Sequence, residues 1–167
     1  MSSIVVSSAR ARGELGDLMK RLVVIAALCA AMALQSASAA EKARGDCYTQ
    51  SAIEAEQAIR FLTDVMIVST TCQDTIYAEF RLRNRDPILA YQKAMIAHFH
   101  GTPGFDRWNT ILANQAAQKH AGQPSTIVCQ QAAELMKQAS ALDPPRFRAF
   151  AAAQAAAAAP QYPRCGK

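Results

Sequence analysis

The 167-residue chain is 51% hydrophobic, 19% charged and 7% aromatic, with seven Gly and seven Pro. Those values exclude a collagen-like, Pro/Gly-rich or wholly disordered chain, and the length fits one domain. Residues 1–39 hold four of the 18 Lys/Arg and two of the 13 Asp/Glu, so the net charge of +5 falls to +3 without them, too mild for a nucleic-acid binder.

The first element in chain order is an export signal. Lys20 and Arg21 precede the uncharged apolar run Leu22 to Leu34, and the small residues Ala37-Ser38-Ala39-Ala40 follow. Charge, apolar run and small-x-small site define a secretory signal peptide. Cleavage is expected after Ala39, with Ala40 next. The run is shorter than the ~20 residues that span a bilayer, so no stable membrane span is expected after cleavage. Met19-Lys20-Arg21 is the usual opening of such a signal, which makes Met19 the expected start and residues 1–18 an extension. Cys29 follows Leu28 and not the small residue a lipoprotein signal requires.

Residues 40–143 read as a helical domain. Asp46 to Cys72 holds no Gly or Pro. Ala52, Ala55, Ile59, Leu62 and Met66 recur every three or four residues, while Glu56, Arg60 and Asp64 run along the opposite side. The β-branched run from Val65 to Thr71 predicts a stop near Thr71. Asp74 is placed to cap a segment over 75–84 with Ile76, Tyr77 and Phe80 inward. Asp86-Pro87 reads as the next helix start, with Ile88, Tyr91, Gln92, Met95, Ile96 and Phe99 following. After Gly101-Thr102-Pro103-Gly104 comes the stripe Phe105, Trp108, Ile111, Leu112 and Ala116, ending near Gly122. Ser125 or Thr126 is expected to cap a further helix, with Ile127, Val128, Ala132, Leu135, Met136 and Ala139 inward, as far as Asp143-Pro144-Pro145. Residues 144–167 read as an Ala-rich helix of small buried area and an extended tail. The predicted fold is all-α, an antiparallel bundle of about five helices stapled by disulfides.

Four cysteines remain after Cys29 leaves with the signal: Cys47, Cys72, Cys129 and Cys165. An even count in an exported chain implies two disulfides and a periplasmic or secreted location. Three pairings are possible. The favoured one joins Cys72 to Cys129, tying the end of one long helix to another, and Cys47 to Cys165, tying the chain ends. No C-x-x-C spacing supports zinc.

Candidate chemistry is sparse. His98 and His100 are the only clustered metal-type side chains. Residues two apart on a helix point about 200° apart, so a shared metal requires the helix to fray before Gly101. Trp108 with Asn109 and Asn114 offers a polar patch beside an aromatic, although a core Trp edged by amides is the simpler reading. Arg81, Arg83 and Arg85 lie between Glu79 and Asp86 and are expected to pair with those acids on a solvated edge. Glu54, Glu56 and Asp64 are expected to be solvated carboxylates. No G-x-S-x-G turn, phosphate loop or C-x-x-C-H haem site occurs. The chain is therefore expected to lack catalytic activity and cofactor, and to bind a protein or envelope partner. The alternative is a small-ligand or metal carrier using the His98/His100 region.

Two stretches carry a resemblance. One is Phe61-Leu62-Thr63-Asp64-Val65-Met66-Ile67-Val68 leading to Thr71-Cys72-Gln73, with Tyr77 and Phe80. The other is Arg107-Trp108-Asn109-Thr110-Ile111-Leu112-Ala113-Asn114, with Cys129 downstream. Over about residues 47–135 the chain resembles a group of small exported helical proteobacterial proteins of unassigned function. The resemblance implies Cys72 and Cys129 as partners and implies no activity.

Overall fold

Thr49 begins the helical body: its side chain accepts the Ala52 amide at 3.1 Å, capping helix α1, Gln50–Cys72. The computed structural model describes residues 47–163 and 165; the segment read as an export signal, with Met19 and Cys29, lies outside the described residues. Seven α-helices follow one another, with no strand among the described residues: α1, then α2 Ile76–Arg83, α3 Arg85–His98, α4 Thr102–Gln118, α5 Ser125–Gln131, α6 Ala133–Ala141 and α7 Pro144–Ala158. A short 3-10 turn, Ala159–Gln161, closes the body.

Helix α1 is the hub, and the six other α-helices pack on it. Its buried positions run round most of its circumference, from Ala52 and Ile53 to Glu56 and Thr63, which one stripe cannot do. The helix ends at Cys72, one residue past the stop expected near Thr71. Thr63, Thr70 and Thr71 donate their hydroxyls to the carbonyls of Ile59, Met66 and Ile67, and burial of Val65 and Val68 outweighs weak propensity. The helix closes at Gln73, a left-handed cap at φ 57°.

Helix starts differ in detail from expectation. Asp74 does accept the Ile76 amide at 2.9 Å. Asp86, however, lies inside the first turn of α3, and Asn84 occupies the cap position. The fully buried Asn84 donates to the carbonyls of Phe80 and Leu142, so it joins α2 to the α6–α7 corner. Neither Ser125 nor Thr126 caps α5, which starts after Pro124. The single helix expected over 125–143 breaks at Ala132 into α5 and α6.

Two large apolar residues expected inward, Ile111 and Ile127, are exposed. Phe105, Trp108, Leu112, Val128, Met136 and Ala139 face the core as read. Gly104 sits inside α4 because a Cβ there would meet the Phe99 carbonyl at 2.5 Å.

The Ala-rich segment is a core helix. Asp143 caps α7 through the Arg146 amide, and Phe147, Ala151 and Ala155 are fully buried. Small side chains four apart bury little area each but let two helix backbones approach closely. Phe147 meets Phe61 and Phe80 in the main aromatic cluster.

Candidate functional site

The two disulfides join Cys72 to Cys129 and Cys47 to Cys165. The first ties the end of α1 to α5. The second is flanked by two backbone bonds, Tyr48 N to Pro163 O at 2.7 Å and Cys165 N to Tyr48 O at 3.4 Å. The chain ends of the body are thus held side by side, and the tail is laid against α1.

That tail covers a buried carboxylate. Glu56 is 2% exposed, and its Oε1 accepts from Arg60 Nε at 2.8 Å, Arg60 Nη2 at 2.6 Å and the Tyr162 hydroxyl at 2.7 Å. Gln57 Nε2 donates to the Tyr162 oxygen at 2.9 Å. The other Glu56 oxygen is buried without a partner among the described residues. Burial and the Glu56 carboxylate push the Tyr162 phenol up to about 12, and burial drives Tyr48 higher still. The expectation of a solvated Glu56 is therefore overturned: the tail, 106 residues further on, closes over it. Tyr91 similarly donates to Glu54 at 2.8 Å.

The two histidines differ in setting. His98 is half-buried, with its ring 4.1 Å from that of Tyr48 and 4.7 Å from that of Phe99. Its Nε2 has no partner among the described residues, and burial holds its pKa below the usual value, against the pull of Glu56. His100 is exposed in the left-handed turn after the helix. No group of three or more His, Cys, Asp or Glu gathers as a metal site among the described residues. Trp108 is buried against Phe99 and Phe105, in a cluster with Met95 and Leu112. Asn109 is half-buried and Asn114 exposed, and neither side chain makes a hydrogen bond among the described residues.

The arginines do not pair with their neighbouring acids. Arg83 donates to the carbonyls of Ala139, Ser140 and Leu142, capping the C-terminal end of α6. Glu79 accepts instead from the Thr75 hydroxyl at 2.6 Å. Arg81 lies over the Tyr77 ring at 5.7 Å, and neither Arg81 nor Arg85 has an ion-pair partner among the described residues.

These two cations border a groove of about 720 Å³ along α2 and α3. The buried Leu62 and Ile88 form its floor. Leu82, 80% exposed, and Leu89, 51% exposed, stand along it. Large exposed apolar residues along a groove bordered by cations are a surface that a partner can cover. The sequence signal was available: Leu82 and Leu89 are seven residues apart and lie off the inward stripe of Phe80, Ile88 and Met95. The lining residues supply apolar contact and positive charge, and no acid-base pair.

The chain matches no protein-family model, no curated protein and no solved structure.

Proposed function

We propose that this is a non-catalytic helical binding protein, exported to the periplasm or beyond, that engages a protein or envelope partner through the α2–α3 face. The two disulfides support an oxidising compartment. Among the described residues no helix is long and apolar enough to cross a membrane. The observation that carries the reading is the pair Leu82 and Leu89, exposed beside the unpaired Arg81 and Arg85.

The test is site-specific photo-cross-linking in the native host. A photoreactive residue at position 82 or 89 should capture a defined protein or lipid species. The same probe at the exposed Ala133, on α6, should not. Equal labelling from all three positions overturns the reading.

A second reading, a metal carrier at His98 and His100, has one observation behind it: the unpartnered Nε2 of His98. Equilibrium dialysis against Zn²⁺ decides it. A carrier loses its metal in His98→Ala; equal metal content in both proteins removes the reading.

A further inference from the structure

We infer that the occupant of the α2–α3 groove is an amphipathic helix of another protein, with acidic side chains beside its apolar stripe. This rests on the proposed role of that face and names the chemistry of the partner.

The first argument is spacing. Tyr77, Arg81, Arg85, Ile88 and Gln92 recur every three or four residues along α2 and α3. They line one side of the groove on both helices, with the Asn84 break between them. Each helix therefore offers one to two turns of this lining, with the ridge spacing into which a facing helix packs. Leu82, on α2, and Leu89, on α3, stand exposed on either side of that break, one apolar contact from each helix.

The second argument is backbone chemistry. The walls are helices, whose amides and carbonyls are already paired within themselves. An extended segment laid in the groove would bury its own backbone groups unpaired. A helix brings its backbone already satisfied, which is why helix-in-groove docking suits a site without a free strand edge.

The third argument is charge. Arg81 and Arg85 lie one turn apart, and Arg81 is held over Tyr77. Glu79 is engaged with Thr75, and neither Glu79 nor Asp86 lines the groove. With no acidic residue in the lining, a second copy of this chain would set arginines against arginines. A partner with Asp or Glu flanking its Leu or Phe stripe meets both features at once. A bilayer surface is a poorer fit, because it does not enter a concave groove floored by Leu62 and Ile88.

The experiment uses the mature, disulfide-bonded protein and two fluorescent helical peptides of about 18 residues, some five turns. Both carry the same Leu heptad stripe; one is flanked by Glu and the other by Lys. Fluorescence anisotropy should show the Glu peptide binding at least about tenfold more tightly, an advantage that salt weakens. Arg81→Glu with Arg85→Glu should invert the preference, and Leu82→Ala with Leu89→Ala should weaken both peptides. All four residues are exposed, so circular dichroism should show the fold intact.

Equal binding of the two peptides, or binding of neither, overturns the inference. So does binding to phosphatidylglycerol vesicles that is lost in the arginine variant, or concentration-dependent dimerisation lost in the leucine variant. If neither peptide binds while position 82 still cross-links an identified species, the docking face stands and only the acidic-helix class falls. If the cross-linking fails as well, both fall.

Discussion

Glu56 and Tyr162 meet at 2.7 Å, the phenol donating to a carboxylate oxygen that already accepts twice from Arg60. One residue stands in the first turns of α1, and the other in the tail after α7. Their contact turns a helix face that periodicity reads as solvated into a buried, hydrogen-bonded seam.

Removing the hydroxyl should therefore cost stability. Tyr162→Phe keeps the ring packed at 4.7 Å from Tyr48 but deletes one donor to Glu56 and the acceptor for Gln57. A loss of about 1–2 kcal/mol is expected. Urea unfolding followed by circular dichroism measures it, and an unchanged midpoint would dismiss the seam as an energetic element.

The same phenol predicts alkaline sensitivity. Tyr162 titrates near 12 in the fold against 10 for an ordinary tyrosine, so the folded state holds its proton longer. Its stabilising contribution is complete below pH 10 and is lost as pH rises towards 12. Tyr48 and Tyr91 shift in the same direction. Melting temperature should fall across that interval, less steeply in Tyr162→Phe.

On the acid side the sign reverses. Burial holds His98 below its ordinary value of 6.5, with His100 adding to the effect and Glu56 opposing it. The unfolded chain then takes up the proton first. The contribution is complete above pH 6.5 and is lost as pH falls below it. The drop in melting temperature between neutral and mildly acid pH should be shallower in His98→Phe than in the parent.

Both disulfides close long loops. For separations of 57 and 118 residues, loop-closure entropy gives about 4 and about 5 kcal/mol respectively. Cys72→Ala with Cys129→Ala should lower stability by an amount of that order. Cys47→Ala with Cys165→Ala should also release the tail, so that adding Tyr162→Phe costs less than it does in the parent. Strict additivity in that double-mutant cycle would mean the bridge does not hold the tail in place.

Gly104→Ala should destabilise by about 1–3 kcal/mol, against the usual gain from Ala in a helix. The added Cβ would stand 2.5 Å from the Phe99 carbonyl and 3.0 Å from the Phe99 Cβ, which forces α3 and α4 apart. A rise in melting temperature would show that the junction yields.

The sequence by itself determined the all-α class, most helix limits within a few residues, and the inward faces of α1 and α4. These are local properties: the three-to-four-residue recurrence of Ala52, Ala55, Ile59 and Leu62, the stop at Asp143-Pro144-Pro145, the break at Gly101. The even cysteine count implied two bridges, but only the fold selects one of three pairings, because the choice depends on where α5 and the tail come to rest against α1. What covers a helix face is likewise decided by residues far along the chain. Glu56 is buried because Tyr162 returns to it, and Ala151 and Ala155 are core because α7 packs closely on α1. Ile111 and Ile127 stay in solvent because no other helix arrives over them. The candidate binding face was legible only in part: Leu82 and Leu89 lie off the inward stripe of Phe80, Ile88 and Met95, but only the arrangement of α2 and α3 over Leu62 sets them on a groove beside Arg81 and Arg85, which have no ion-pair partner among the described residues.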